Sequence, residues 1–470
     1  MLNPDRFFDA DPAIRRVASE LYEETRLLPL ICPHGHVEPR MLAENARFAN
    51  PATLLITPDH YIVRMLYSQG VSMESLGITR LDGSDVEHDP RIIWQLFAER
   101  FHLFLGTPSG VWLQHVLTDL FGVTEKLNAH SADRVYDAIE ERLASAEYLP
   151  RALFGRFNIE VLATTDPATD DLRHHEHILG SGWNGRVVPT FRPDTLFHIT
   201  SPQWRRELTR LEVMTGAPIE DVEVFVRALA RRRADFKAMG ATATDHGVMH
   251  PYAAPLSVGV ANEVFSRAKS GNASIEDQVG FEAHMLMEMA RLSTEDGLVM
   301  QLHPGVYRNH NAFLADRFGA NIGGDIPIVA EFTHNLAPLL NAFGNHPNFR
   351  IVLFTLDEST YARELAPLAG HYPAVRLGPA WWFNDSIEGM TRFRQQTTET
   401  AGIWNTAGFN DDTRAFCSIP ARHDLSRRID ANFLGSLVSR HIIDMDDARL
   451  MARAMAYELA RDTYNFSKSE

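Results

Sequence analysis

The chain has 470 residues, of which 45% are hydrophobic, and carries a formal net charge of −16. This many apolar residues can build a large buried core, and the negative charge argues against nucleic acid or an anionic membrane as a partner. Two isolated cysteines, an N-terminus without signal-peptide regions and the lack of an apolar run of membrane-spanning length predict a cytoplasmic protein.

The first predicted strand ends in a pair of histidines. The apolar run 27–32 predicts a short buried strand, and Pro33-His34-Gly35-His36 follows it directly. Because side chains alternate along a strand, His34 and His36 point to the same side. Neutral imidazole is a common ligand of divalent transition metals, so the pair could form half of a metal site. The alternative is a pair of surface histidines at a strand end.

Seven more short apolar runs follow, mostly separated by helical patterns, at 159–166, 187–192, 241–246, 297–303, 350–355, 375–381 and 406–412. Eight strands alternating with helices are typical of a (β/α)₈ barrel, where reactive groups gather at the carboxyl ends of the strands. A doubly wound sheet is the alternative. The predicted strand ends carry His34, His36, Asp166, Arg192, Asp245, His246, His303, Trp381 and Asp412.

Two long excursions interrupt the strand pattern. Residues 38–157 contain helical stretches at 89–105 and 131–145, so we expect an inserted helical subdomain, with the barrel formed by 1–37 and 158–470. In the second excursion, a predicted helix at 222–236 carries Arg231-Arg232-Arg233. We interpret this run as a solvated helix face rather than a phosphate site, because acidic residues lie close by. Residues 444–463 predict one amphipathic helix.

The eighth predicted strand supplies a candidate third metal ligand in Asn410-Asp411-Asp412. A closed barrel places strands one and eight side by side, which brings a carboxylate within reach of the two histidines. Two imidazoles and one carboxylate suit Zn²⁺ or Mn²⁺ with positions left open for water or substrate. Only one of Asp411 and Asp412 can point inward, and both could instead cap the following helix.

Further motifs make the combination specific. They are Asp59-His60-Tyr61, Arg192-Pro193-Asp194, Asp245-His246, His303, Trp381-Trp382-Phe383-Asn384-Asp385, Asp412-Thr413-Arg414 and Ala421-Arg422-His423. With His34-Gly35-His36, this set resembles the uronate isomerases (glucuronate isomerases) of the amidohydrolase superfamily, nearly end to end. The resemblance implies a distorted (β/α)₈ barrel of the metal-dependent hydrolase type. It further implies interconversion of D-glucuronate with D-fructuronate and of D-galacturonate with D-tagaturonate, in hexuronate catabolism.

The arginines fit that chemistry. Aldose–ketose isomerisation moves a proton between C2 and C1 through an enediolate, and it needs a base, an oxyanion stabiliser and a carboxylate anchor. Arg192 and Arg414 offer forks for bidentate carboxylate recognition. By resemblance Arg192 anchors the C6 carboxylate and Arg414 lies near the metal end of the sugar. Structural salt bridges with Asp194 and Asp412 are the alternative.

The resemblance also assigns the inserted segment a role at the barrel mouth. His60 would help to open the sugar ring and Tyr61 would shuttle the proton, while Asp412 competes with Tyr61 as the base. The sequence does not decide between them. One of Trp381 and Trp382 is expected against the sugar and the other in the core. The remaining candidate substrate contacts are Asp245, His246 and His303.

The lysines favour one metal ion over two. None of Lys126, Lys237, Lys269 and Lys468 ends a predicted strand, so the bridging carbamylated lysine of two-metal amidohydrolases is missing. We expect Zn²⁺, with Mn²⁺ as the alternative. Many relatives carry an arginine after strand six, where this chain has Asp357-Glu358; this departure leaves the preferred uronate open.

Two other functions compete with the isomerase. One is a mononuclear metal-dependent hydrolase of a sugar-acid lactone or amide, and the other is a sugar-acid binding protein without turnover. In the isomerase hypothesis the partner is a small hexuronate, with no nucleic acid and no membrane. Assembly of identical chains into a homo-oligomer is left open by the sequence.

Overall fold

A computed structural model describes residues 2–466 and forms a ring of short parallel strands. The strands are β1 Leu30–Cys32, β2 Ile159–Ala163, β3 Asp166–Pro167, β4 Arg186–Val188, β5 Phe191–Arg192, β6 Ala243–His246, β7 Val299–Leu302, β8 Val306–Tyr307, β9 Ile326–Pro327, β10 Ile351–Leu353 and β11 Val375–Leu377. All but the antiparallel pair β8–β9 belong to two parallel sheets, β1-β2-β4 and β11-β10-β7-β6-β5-β3. The α/β class predicted from the sequence is therefore confirmed.

The two sheets join where single predicted strands are each divided in two. β2 continues into β3, and β4 continues into β5, with the amide of Thr164 donating to Val188 O at 2.9 Å between them. The ring closes through the eighth predicted strand, which is reduced to one parallel bridge between Leu377 and Thr406. Farther along, the His36 amide donates to Thr413 O at 3.0 Å, so the ends of strands one and eight lie side by side.

The eighth strand is short because the backbone turns away after Ala407. Gly408 has a φ of +76°, and a Cβ at this position would stand 2.6 Å from Ala460 N. Only glycine combines a left-handed backbone with so close an approach. The turn ends the strand and carries residues 409–414 toward the mouth of the barrel.

Helices cover the outside of the ring and fill the segment between β1 and β2. The first eight are α1 Pro12–Thr25, α2 Pro39–Glu44, α3 Pro51–Leu55, α4 His60–Ser68, α5 Pro90–Glu99, α6 Pro108–His115, α7 Ala132–Leu143 and α8 Pro150–Arg156. Six of them begin with proline, whose fixed φ and missing N–H suit the first helical turn. The segment 38–157 is thus helical as expected, and its division from the barrel as a subdomain stays a prediction.

The remaining helices are α9 Arg173–Gly180, α10 Asp194–Phe197, α11 Trp204–Thr215, α12 Val222–Ala238, α13 Val258–Ser270, α14 Ile275–Asp296, α15 Ala312–Phe318, α16 Ala337–Phe343, α17 Ala366–Ala369, α18 Ile387–Ala401, α19 Ile419–Ser439, α20 Met445–Arg453 and α21 Leu459–Thr463. A π-helical turn at 454–458 joins α20 to α21. Across residues 2–466, no helix is both long and apolar enough to cross a membrane.

Alternation along the strands builds two kinds of core. Ile31, Val161, Val299 and Val352 lie in one buried cluster inside the ring. Their strand neighbours pack outward, Leu30, Cys32 and Leu162 against the helices of 38–157 and Met300, Leu302, Ile351 and Leu353 against the other helices. Successive side chains of a strand face opposite sides, so a strand that is packed on both faces needs apolar residues at every position. For this reason these strands are continuous apolar runs in the sequence.

One expectation outside the barrel is wrong. Arg232 and Arg233 are buried, with exposures of 7% and 0%, rather than on a solvated face. Arg233 pairs with Asp296 and Arg232 donates to the carbonyl oxygens of Ala168 and Asp170. The buried guanidinium groups tie α12 to neighbouring segments, a role that depends on tertiary contacts and not on local charge pattern.

Candidate active site

A cavity of about 860 Å³ opens at the carboxyl ends of the parallel strands. It gathers nearly all the residues that the sequence singled out: His34, His36, His60, Tyr61, Arg192, Asp245, His303, Trp381, Trp382, Asp412 and Arg414. A second cleft of about 1660 Å³ lies beside it and shares His36 and Arg414, but it lacks the other groups of this set. The smaller cavity is therefore the candidate active site.

His34, His36 and Asp412 converge at the base of this cavity. The Nε2 atoms of His34 and His36 lie 3.5 Å and 3.2 Å from Asp412 Oδ1, and one potential ligand atom from each residue lies within 4.8 Å of the others. Two nitrogen donors and one carboxylate oxygen suit a Zn²⁺ or Mn²⁺ ion with open coordination positions. The donor set therefore fits one divalent metal ion.

The protonation states also suit metal binding. Burial lowers the pKa of His34 and of His36, which favours the neutral imidazole that can ligate a metal. Burial alone would raise the pKa of Asp412, but its interactions with His34, His36 and His303, which include a hydrogen bond with His36, outweigh burial and hold the pKa below its usual range. All three side chains are thus in the form that binds a cation.

Asp411 points away from the metal cluster, as alternation predicts for the neighbour of Asp412. Its Oδ2 lies 3.2 Å from His423 Nε2, and Cys32 Sγ lies 3.7 Å from the same nitrogen. The group is buried under strand one and anchors the loop that carries Asp412. It has no opening to the candidate active site, whose lining residues do not include it.

Asp245, His303 and Arg192 form a second polar cluster on the cavity wall. His303 Nδ1 lies 2.7 Å from Asp245 Oδ1, and Arg192 Nη1 lies 3.1 Å from Asp245 Oδ2. Arg192 Nε also donates to Asp194 at 2.7 Å. The hydrogen bond from His303 Nδ1 leaves Nε2 as the free nitrogen, and Nε2 is buried without a partner in residues 2–466. The imidazole ring of His303 stacks on the ring of His34, with centroids 4.6 Å apart.

Helix α4 presents His60 and Tyr61 to the cavity from the inserted segment. Asp59 caps this helix by accepting from the Tyr61 amide at 2.9 Å, and the two aromatic rings stack with centroids 4.5 Å apart. Burial, aided by Arg414, lowers the pKa of His60 to about 3, so the imidazole is neutral. Burial raises the pKa of Tyr61, so its phenol is protonated at neutral pH.

The two tryptophans both line the cavity. Trp381 is buried in the cluster inside the ring, with its centroid 4.8 Å from that of His303. Trp382 has a left-handed φ of +51° and packs between Phe383 and the guanidinium of Arg308, 5.3 Å above its ring. The sequence predicts one tryptophan against the sugar and the other in the core. In the structure Trp381 lies in the core and also lines the cavity, and Trp382 lines the cavity.

His246 needs a correction. It is absent from the lining of the cavity, and its Nε2 lies 3.1 Å from Thr244 Oγ1 while its ring is parallel to that of Phe197. Neighbouring strand residues face opposite sides, so Asp245 points into the cavity and His246 points out. Burial lowers its pKa to about 4, as for a neutral core histidine.

Sequence reasoning gave no role to two arginines that line the cavity, Arg308 and Arg422. Arg308 follows β8 and pairs with Asp325 at 2.8 Å, in a loop that carries no recognisable motif. Arg422 belongs to the Ala421-Arg422-His423 motif, and that motif could have indicated a role for it. Lys126, Lys237 and Lys269 do not line the cavity, and Lys468 lies outside the described residues.

The comparisons with known proteins agree on one protein family. A family model described as glucuronate isomerase matches residues 7–464. A uronate isomerase of Nostoc punctiforme is 54% identical over 465 residues, covering 99% of this chain and 98% of that protein. The structure of glucuronate isomerase from Caulobacter crescentus matches with a TM-score of 0.98 at 47% identity, covering 100% of this chain and 98% of that one. A uronate isomerase structure from Thermotoga maritima gives 0.91 at 26% identity, covering 99% of both chains.

Proposed function

This chain belongs to the glucuronate isomerase family, and we propose how its cavity carries out the family's reaction. The protein is a uronate isomerase, which interconverts aldose and ketose forms of hexuronates such as D-glucuronate and D-fructuronate. The observation that carries the proposed mechanism is the convergence of His34, His36 and Asp412 beside Tyr61 and two arginines. The reaction needs a base, a proton donor and an anchor for the substrate carboxylate. These residues supply a carboxylate, a phenol and two guanidinium groups.

We assign one divalent metal ion, Zn²⁺ with Mn²⁺ as the alternative, to His34, His36 and Asp412. When bound, the ion supplies Lewis-acid polarisation of the substrate's carbonyl and hydroxyl oxygens. His34 and His36 contribute neutral nitrogens, and Asp412 contributes the negative charge that makes the site selective for a cation. His303, held by Asp245 through Nδ1, lines the same cavity, and its Nε2 has no partner within residues 2–466.

Asp412 and Tyr61 divide the proton transfers between them. Asp412 is ionised and Tyr61 is protonated at neutral pH, so the carboxylate is the resting base and the phenol the resting acid. Asp412 takes the proton from C2 while Tyr61 gives its proton to O1, which yields the enediol and leaves Tyr61 as the phenolate. The phenolate of Tyr61 then takes the proton of O2, and Asp412 returns its proton to C1.

Arg192 and Arg414 hold the anionic substrate across the cavity. Arg192 is fixed by Asp194 and Asp245, which sets the plane of its guanidinium for the C6 carboxylate. Arg414 donates to Asn321 Oδ1 at 3.0 Å and lines the cavity, where its charge is available to the substrate. Neutral His60 accepts the proton of the O1 hydroxyl and passes it to the ring oxygen O5 as the pyranose opens.

Exchange of hydrogen at C2 in D₂O tests the division of roles. With metal-loaded protein and D-glucuronate, NMR should show ketose formation and deuterium entering the reacting carbons. Tyr61→Phe should lower kcat for ketose formation about 10²- to 10⁴-fold yet retain slow exchange at C2, because Asp412 still removes that proton. Loss of both processes in Tyr61→Phe would make Tyr61 the C2 base and overturn the assignment to Asp412.

Metal analysis tests the ligand set. The parent should hold about one ion per chain, following the single three-ligand group assigned above. His34→Ala and Asp412→Asn should lose metal and activity together, whereas His246→Ala, in a histidine equally buried but facing away from the cavity, should keep its metal. An unchanged metal content in His34→Ala would contradict the site.

We also propose that this chain works in the cytoplasm. Cys32 and Cys417 are both buried free thiols, which supports a reducing compartment such as the cytoplasm. Hexuronate breakdown is the metabolic setting that the activity suggests. Fractionation of cells that express a tagged chain would test the location.

A further inference from the structure

Arg422 is a buried cation held rigidly at the back of the cavity. The residue is 1% exposed, and its Nη1 donates to Asp385 Oδ2 at 2.7 Å and to the Asp411 carbonyl at 3.3 Å. Its Nε donates to Ser418 Oγ at 3.1 Å, and its guanidinium lies 3.5 Å from the centre of the Trp112 ring. So many contacts fix both the position and the plane of the charge.

This cation faces Tyr61. The guanidinium carbon lies 5.7 Å from the centre of the Tyr61 ring, and the Tyr61 and Trp112 rings meet edge to face with centroids 5.8 Å apart. Burial raises the pKa of Tyr61, and Arg422 is the strongest charge acting against that rise, while Asp385, Asp412 and Asp59 act with it. A phenolate formed here without a cation nearby would be a buried unpaired charge.

The partner of Arg422 only partly cancels its charge. Asp385 is 4% exposed, and its Oδ1 has no hydrogen-bond partner within residues 2–466. Burial raises the pKa of Asp385 to about 7 even though Arg422 pulls it down. Asp385 pairs with Arg422 through one oxygen only, while the guanidinium also lies over the rings of Trp112 and Tyr61.

We propose that Arg422 is a positioning residue for the isomerisation, which fixes Tyr61 through the Trp112 contact and stabilises the negative charge on its phenol while the proton is on the substrate. The proposal rests on the proposed proton transfer by Tyr61. It assigns Arg422 to the chemical step rather than to substrate binding, because Nε and Nη1 are directed to Ser418, Asp385 and the backbone.

A double-mutant cycle tests this assignment on the metal-loaded full chain. Arg422→Met should lower kcat about 10²-fold, the usual size for loss of one preorganised charge, with KM for D-glucuronate changed less than about threefold. Arg422→Lys, which keeps the charge, should recover about tenfold of that loss. In Tyr61→Phe, adding Arg422→Met should lower kcat no further than about threefold, because Arg422 acts through the phenol.

A matched control separates this role from the breaking of a buried ion pair. Arg394 pairs with Asp430 through two hydrogen bonds of 2.6 and 2.9 Å, is equally buried, and does not line the cavity. Arg394→Met should lower the melting temperature and leave kcat of the folded, metal-loaded enzyme within about twofold.

Three results would overturn the proposal. Multiplication of the Arg422→Met and Tyr61→Phe losses would show that Arg422 does not act through Tyr61, and a raised KM with unchanged kcat would make it a substrate anchor. Arg422→Lys no better than Arg422→Met in kcat would exclude a role for the charge. If Tyr61→Phe itself keeps kcat, the proposed role of Tyr61 fails first, and this outcome is read from that single variant.

Discussion

Asp412 combines a strained backbone conformation with side-chain contacts to two histidines. Its backbone has a φ of +36°, a left-handed conformation that costs a non-glycine residue about 1–2 kcal/mol, and its carboxylate contacts both metal-site histidines. The bond from the His36 amide to Thr413 O and the bond from Arg422 to Asp411 O hold the backbone on either side. The strain therefore lies where the loop must aim one carboxylate inward and its neighbour outward.

Arg192 is expected to set affinity for the substrate carboxylate. Arg192→Lys keeps the charge but loses the fork that Asp194 and Asp245 hold, so KM for D-glucuronate should rise about 10- to 100-fold with a smaller change in kcat. Steady-state kinetics beside the matched variant Arg414→Lys checks this. If KM rises only in Arg414→Lys, the carboxylate anchor is Arg414.

Asp166 is expected to make stability depend on pH. Burial raises its pKa to about 7, partly opposed by the Thr164 hydroxyl at 2.6 Å and assisted by Asp170 and Glu38. The unfolded carboxyl titrates at about 4, so the folded state binds more protons between about pH 4 and pH 7. The stabilisation is complete below pH 4 and is lost as pH rises through 7, by a few kcal/mol in all.

Asp166→Asn should remove that dependence. Relative to the parent, its melting temperature should improve between pH 5 and pH 8, because the neutral amide has no charged form to desolvate. Thermal unfolding at the two pH values measures the difference. Asp171→Asn, an exposed carboxylate close in sequence, is the control and should show no such change. An equal difference between Asp166→Asn and parent at both pH values would contradict the prediction.

At the scale of elements, strand order and strand ends could be predicted because they follow from local apolar runs. All eight predicted strand positions are occupied, and the metal-site residues could be proposed from strands one and eight alone. The alternation rule, applied at 411–412, predicts that only one of the two aspartates points inward; applied at 245–246, it would have allowed only one of Asp245 and His246 to face the cavity. The burial of Arg232 and Arg233 was not predictable, since Asp296 and Ala168 are distant in sequence.

The loop after β6 is expected to position Arg192 by close contact. A Cβ on Gly247 would stand 2.5 Å from Arg192 Nη2 and 3.1 Å from Asp194 Oδ2, so Gly247→Ala must displace the guanidinium. We expect KM to rise about tenfold, roughly the loss of one good hydrogen bond to a charged group. Gly259→Ala, in α13 with open space around it, is the control: KM should not change and stability should rise by about 0.5–1 kcal/mol.

For the whole molecule, the active site is assembled from segments that span most of the chain. His34 follows the first strand, Tyr61 comes from the inserted helices, and Asp412 and Arg422 lie beyond the last strand. The motifs could be found in the sequence because each is local. Arg308 could not, because its contact with Trp382 exists only once the loop after β8 folds over the barrel mouth. Residues that act through tertiary contacts leave no local pattern to read.

The end of the described chain returns to the interior of the ring, and we expect it to stabilise the whole barrel. Tyr464 is 1% exposed, belongs to the cluster inside the strands, and donates its hydroxyl to Gln301 Oε1 at 3.0 Å across 163 positions. Tyr464→Ala should lower the free energy of unfolding by about 3–5 kcal/mol, through lost burial and a cavity. Tyr464→Phe should cost about 1–3 kcal/mol, because Gln301 loses its partner inside the core.

A second substitution distinguishes packing from the hydrogen bond. Adding Gln301→Leu to Tyr464→Phe replaces both polar partners by apolar groups, so denaturant unfolding should show most of the Tyr464→Phe cost recovered. The Gln301 amide nitrogen has no partner in residues 2–466, which adds to the expected recovery. If the double variant is less stable than Tyr464→Phe, Gln301 stabilises the interior of the ring through contacts other than its hydrogen bond with Tyr464, and the expected recovery is contradicted.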